Sequence, residues 1–286
     1  MTTGPGPAGA ADPGDEPATL LPLRPGGGRP PLCCVHPVSG SAYGYGGLAG
    51  LLPAEQPVYG LEAPGFDDDR EPLDSVPALA ADHVRTLDRL LPGLIGGLLG
   101  WSTGGLVAYE MAALLAAAGR PVPALILVDS PAPAPAPLPA EQDIVRQFVH
   151  DLLGTAGAVP ADLAAALGSR PDLPAAVFES VERAGLFPAE MDAEFLANRY
   201  HVFRASVVAM YAYRPDPGGR RPVTLVVASG SRRDLMRWAE VTGPVTEEVL
   251  PGDHYSIWSG AALAELGRLV RRCLDEVPAA TPAAGG

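Results

Sequence analysis

The stretch Gly100-Trp-Ser-Thr-Gly104 most constrains what this chain can fold into. An apolar run, Leu94–Leu99, leads into it and reads as a buried strand. A helical pattern follows, with Leu106, Val107, Met111, Leu114 and Leu115 on one face. A strand, a sharp turn carrying a serine and then a helix is the arrangement that lifts a hydroxyl clear of the backbone. Residues two before and two after the serine crowd together there, so only glycine-sized side chains fit. The helix N-terminus under the serine favours negative charge developing beside it. On its own the pattern also suits a glycine-rich turn in any α/β protein. The decision rests on whether an acid and a histidine follow strands elsewhere.

The order of elements answers the fold question. Leu32–Val35, Val58–Leu61, Leu94–Leu99 and Ala124–Val128 read as strands, with helices over Tyr45–Leu52, Val76–Leu91 and from the serine to Ala118 between them. Alternation of this kind predicts a mostly parallel sheet with helices on both faces, and continuous apolar strands fit burial on both sides. Pro131–Pro139 alternates proline with alanine and reads as an extended spacer. Helices are then expected over Glu141–Leu153, Leu173–Ala184 and Met191–Tyr213. Alternation resumes with a strand at Val223–Ala228, a short helix at Leu235–Val241, a strand at Glu247–Leu250 and a helix at Ala261–Leu274. The expected division is a disordered leader over 1–28, core over 29–130, a helical lid insertion over 131–215, core over 216–277 and a disordered tail over 278–286.

Composition excludes several classes. A net charge of −13 without a basic cluster argues against nucleic-acid binding. No apolar run reaches the ~18 residues of a membrane span, and the N-terminus lacks a signal peptide's basic start and apolar core. A cytoplasmic protein with no membrane partner is expected. Cys33, Cys34 and Cys273 have neither metal-ligand nor disulfide-framework spacing, so no metal is expected. The sequence says nothing of oligomeric state.

Ligands of open α/β sheets lie beyond the carboxyl ends of the strands. Three reactive side chains follow strands: Ser102, Asp129 and His254. That chain order is the one used by α/β-hydrolases. Ser102 is the candidate nucleophile and His254 its base, with Asp129 fixing the imidazole tautomer. The acid stays open between Asp129 and Asp234, which follows the strand Val223–Ala228; Asp253, beside His254, points differently from it. Backbone N–H groups of Thr103 and Val38 are expected to form an oxyanion hole. His36 reads as loop structure or a substrate contact. Tyr43, Tyr45, Trp101, Tyr255 and Trp258 are candidates to shape an acyl pocket, of which Trp101, Tyr43 and Tyr255 are taken as substrate-binding; plain packing is the alternative for each.

These segments resemble the thioesterase domains of nonribosomal peptide and polyketide synthases. The resemblance rests on Pro31–Gly40, Val58–Gly65, Gly100–Met111, Leu125–Ser130 and Gly252–Tyr255 and spans about residues 30 to 275. It implies an α/β-hydrolase with a helical lid between the acid's strand and the later strands. It further implies transfer of an acyl chain from the phosphopantetheine arm of an acyl or peptidyl carrier protein to Ser102, then release by hydrolysis or macrocyclisation. The phosphopantetheine belongs to the donor, so no cofactor of the chain's own is expected. An acid at Asp129 is similar to the chain-terminating domains, whereas editing type II thioesterases carry it nearer Asp234. The terminating domains close giant synthases, while this sequence starts at Met1, so both roles stay open. A serine esterase or lipase acting on free substrates, and a non-catalytic module on the same scaffold, are the rivals.

Overall fold

A computed structural model describes residues 19–154, 174–183, 185, 188, 190–216 and 218–276. Seven strands form one sheet: β1 (Leu20–Arg24), β2 (Leu32–Val35), β3 (Val58–Leu61), β4 (Gly97–Trp101), β5 (Ala124–Val128), β6 (Val223–Ala228) and β7 (Val245–Leu250), in the order β1-β3-β2-β4-β5-β6-β7. Every pairing is parallel except β1 with β3. The sheet is mostly parallel, as the alternation predicts, and has the α/β-hydrolase form that the resemblance implies.

Side chains alternate across it with the two-residue period of a strand. Cys33, Val35 and Leu98 join the core on one face with α2 (Val76–Leu90) and α3 (Thr103–Ala117). Leu32, Cys34 and Leu99 join the other, under α1 (Gly46–Leu51) and the closing helix over Gly260–Asp275. Both adjacent cysteines are thus fully buried, on opposite faces, and all three cysteines are free thiols.

Between β5 and β6 the chain leaves the sheet. An extended stretch runs to α4 (Glu141–Gly154), and α5 (Pro174–Arg183) and α6 (Ala193–Ala212) follow. These helices have a core of their own, with Ile144, Phe148, Phe178, Tyr200, Phe203 and Val207 buried together. Phe148 is its centre, 5.6 Å from Phe178 and 5.4 Å from both Tyr200 and Phe203 between ring centroids. α6 ties this insertion to the sheet domain. Arg199 lies 3.6 Å over the Phe66 ring and 2.8 Å from Asp67, and Tyr213, just past α6, donates to Glu110 of α3 at 2.7 Å. A short helix α7 (Trp238–Thr242) and the final helix α8 (Gly260–Asp275) complete the described chain.

Three expectations need correction. Residues 20–24, placed in the disordered leader, form β1. This short apolar run pairs with β3, and its Pro22 lacks a donor, which an edge strand tolerates. Arg24 anchors it on the carbonyls of Leu52 and Pro53 at 2.9 and 2.8 Å. Residues 1–18, the rest of the leader, and the expected tail at 278–286 lie outside the described residues. The strand before Ser102 starts at Gly97 rather than Leu94, which is 59% exposed. The short helix begins at Trp238, preceded by a turn over Arg233–Leu235.

Candidate active site

Ser102 sits between β4 and α3 with φ 55° and ψ −128°. The turn is held by its N–H on Val128 O at 3.1 Å and by Gly105 N–H on Ser102 O at 3.1 Å. Its tightness explains the glycines. A Cβ on Gly100 would lie 2.1 Å from Gly104 O, and one on Gly104 would lie 2.5 Å from the carbonyl oxygens of Val35 and His36. The helix carrying the serine therefore packs backbone-to-backbone on the end of β2.

Among the described residues, Ser102 and Asp129 (φ 44°) are the two non-glycine residues with positive φ. Asp129 follows β5, and its own N–H is taken by Val226 O at 2.7 Å. The bend turns its carboxylate into three donors: Ala228 N–H at 2.9 Å, Ser231 Oγ–H at 2.6 Å and His254 Nδ1 at 2.6 Å. Burial pushes the carboxyl pKa up, but hydrogen bonds from His254, Ser231 and Ala228 together hold it below the usual carboxylate range. The acid is thus ionised at neutral pH in an almost fully buried place, and the His254 nitrogen facing it carries a proton.

His254 follows β7 through Pro251-Gly252-Asp253, with Gly252 at φ 112°. Asp253 is committed to this turn, accepting from the N–H groups of Tyr255 and Ser256 at 3.0 and 2.8 Å. Asp234 stands on the exposed surface, paired with Arg232 at 2.6 Å. Of the three candidate acids, Asp129 is the one bonded to His254. The histidine ring lies 5.0 Å from the ring of Trp101, the neighbour of Ser102. No hydrogen bond joins Ser102 Oγ to His254 in this structure; such bonds are often long before substrate arrives.

Thr103 is buried at the first position of α3. Val38 lies half-buried in the loop after β2 and packs against the insertion's core. Among the described residues no protein acceptor takes the N–H of either. His36 belongs to the structure of that loop. It is buried, with Nδ1 2.8 Å from Pro37 O and its ring 5.3 Å from that of His83. Burial lowers its pKa to about 4, outweighing the opposing bond to Pro37, so it is neutral.

An aromatic group surrounds the serine and histidine. Trp101 contacts Tyr255 at 5.9 Å and Trp258 at 5.5 Å, and Tyr255 contacts His254 at 5.3 Å. Tyr45 supports it from below, accepting from Trp101 N–H at 3.1 Å and donating to Val35 O at 2.6 Å. Tyr43 is not brought in: it is 62% exposed on a single 3-10 turn over Tyr43–Tyr45, where three residues per turn send side chains two positions apart in different directions. Two site neighbours were missed in the sequence. Ser231, behind Asp129, sits at a strand end and was findable by the same rule that found the acid. Asp151, which accepts from Tyr255 Oη at 3.1 Å, lies in α4 with no pattern to single it out. No helix among the described residues is long and apolar enough to cross a membrane.

The chain resembles known proteins in sequence and in fold. The chain is 33% identical over 198 residues to a dimodular nonribosomal peptide synthase of Bacillus subtilis (strain 168), covering 68% of this chain and 8% of that protein. It spans only 2–8% of the length of the curated relatives it matches first. In three dimensions it is similar to holo-AB3403, a four-domain nonribosomal peptide synthetase, with a TM-score of 0.79 and 24% identity over 92% of this chain and 20% of that one. It is also similar in fold to YbtT, a type II thioesterase from the yersiniabactin NRPS/PKS pathway, with a TM-score of 0.67 and 21% identity over 91% of this chain and 99% of the other. The family model described as Thioesterase domain matches residues 30–274, from β2 to α8 and so across both strained residues and the histidine, and the chain belongs to that family.

Proposed function

We propose that this chain is a serine thioesterase that takes a peptidyl or polyketide chain from the phosphopantetheine arm of an acyl or peptidyl carrier protein, in the cytoplasm, during natural-product biosynthesis. One observation carries the reading: a buried, ionised Asp129 bonded at 2.6 Å to His254, beside a serine held in a strained turn.

Asp129 keeps the proton on His254 Nδ1, leaving Nε2 free as a base. As Ser102 Oγ attacks the thioester carbonyl, Nε2 takes the hydroxyl proton. The Val38 and Thr103 N–H groups receive the oxyanion. The C–S bond then breaks, and the leaving thiolate takes the proton from His254, leaving an acyl-Ser102 ester. Water, or an amine or hydroxyl of the chain itself, gives its proton to His254 and attacks that ester; the C–Oγ bond then breaks, Ser102 Oγ takes the proton back from His254, and an acid or a ring is released. The insertion's helices α4, α5 and α6 act as the lid over this site, with Trp101 and Tyr255 against the acyl chain. The chain needs no cofactor or metal of its own in this scheme, since the phosphopantetheine arrives with the donor.

The test compares a carrier-tethered acyl thioester with a p-nitrophenyl ester, with products read by mass spectrometry. A clear preference for the tethered thioester, together with fluorophosphonate labelling of Ser102, is expected. Equal turnover of the small ester would make the protein a general esterase, and an unlabelled Ser102 in the folded protein would make it non-catalytic.

A further inference from the structure

The site's carboxylates differ in how far they are committed. Asp129 has both oxygens engaged, Oδ1 by Ala228 and Oδ2 by Ser231 and His254. Asp253 closes its own turn. Asp151 is different. It projects from the end of α4 in the insertion, and only Tyr255 Oη, 3.1 Å from its Oδ1, bonds to it among the described residues. No arginine among them pairs with it, and the sequence contains no lysine. Burial pushes its carboxyl pKa up, against the pull of Tyr255, His254 and His150. A half-buried acid without a cation is costly to keep ionised unless one is supplied.

Its surroundings suit a particular cation. The Tyr255 ring lies 6.0 Å from His150, 5.9 Å from Trp101 and 5.3 Å from His254. A carboxylate bonded to the hydroxyl of a ring within such an aromatic group can hold an ammonium group by an ion pair, with the neighbouring rings adding to it. Resting on the thioesterase reading above, we propose that Asp151 is a specificity residue that receives a protonated amine of the acyl chain at the mouth of the site. The carboxylate stands one tyrosine ring from His254, which puts that amine within about three residues of the thioester carbonyl on an extended chain.

The test uses two N-acetylated dipeptidyl pantetheine thioesters that differ in one group, an ornithyl side chain against its norleucyl isostere. The unaltered protein is expected to favour the ornithyl thioester in kcat/KM by about tenfold or more, the scale of a partly desolvated ion pair with ring contacts. Asp151→Asn brings the ratio close to one, and Asp151→Glu restores part of it. No preference in the unaltered protein overturns the proposal. So does a fall on both thioesters alike in Asp151→Asn, matched by Tyr255→Phe, since that marks a plain lid latch. If neither thioester turns over, the thioesterase reading fails separately, and the matching amides decide this one by protecting Ser102 from a fluorophosphonate. Protection by the ornithyl amide alone, lost in Asp151→Asn, upholds it, and equal protection overturns it.

Discussion

Ser102 and Asp129 both have a positive φ, for different reasons. The serine's positive φ lifts its hydroxyl out of the sheet, while the aspartate's swings its carboxylate across the end of β6 toward β7. Strain of this kind costs of order 1–3 kcal/mol per residue and persists only where surrounding contacts enforce it. Here the backbone bonds to Val128 and Val226 do so. Asp129→Asn should lower kcat by about a thousandfold or more, because an amide can stabilise the wrong imidazole tautomer. Asp234→Asn, exposed on the surface, should change it by no more than about twofold. Steady-state kinetics on one thioester ranks the pair, and the reverse ranking would overturn the assignment of the acid. Ser231→Ala should act differently, since Asp129 keeps two of its three donors. The carboxylate stays bonded to His254, so activity at neutral pH should survive, with kcat falling far less than in Asp129→Asn.

At the scale of elements, the sequence is most legible where physics is local. Ala124–Val128 and Val223–Ala228 stand where their apolar runs place them, because a strand covered on both faces needs nothing else to declare itself. Three strand ends then suffice to locate Ser102, Asp129 and His254. β1 escaped because its meaning is not local. Leu-Leu-Pro-Leu-Arg among glycines and prolines carries little strand signal until β3 is present to pair with it. Asp151 escaped because its role depends on where α4 docks, and periodicity does not give docking. The insertion's own core makes a testable claim about that docking. Phe148→Ala removes the ring on which Phe178, Tyr200 and Phe203 converge, a loss of about 3–5 kcal/mol for a buried phenylalanine. The insertion contacts the sheet domain mainly through α6, so the damage should be confined. Hydrogen exchange should speed up in α4 and α5, with the amides of β4 and β5 still protected. Uniform loss of protection would mean that insertion and sheet fold as one unit.

Over the whole molecule, the buried histidines set how the fold responds to acid. His36 and His83 face each other beneath the loop that carries Val38, both essentially without exposure. Burial lowers the His36 pKa from 6.5 to about 4 and lowers that of His83 well below its ordinary value, with the neighbouring His36 and Arg70 adding to it. A group whose pKa is lower folded than unfolded makes the unfolded chain bind more protons between the two values. Stability therefore rises with pH across that window and falls as pH drops through 6.5 toward 4. For His36 alone the full span amounts to about 3 kcal/mol, and His83 acts in the same direction. Asp129 adds a loss of the same sign further into acid, since its lowered carboxyl pKa favours the fold only while it is ionised. Guanidinium unfolding at pH 7.5 and pH 5 should show a clear drop in the midpoint for the unaltered protein. His83→Phe removes one of the two groups, so its midpoint should fall less over the same interval, whatever its absolute stability. An equal drop in both proteins would mean that the pair is hydrated and free to protonate, and that the loop bearing Val38 does not rest on a dry floor.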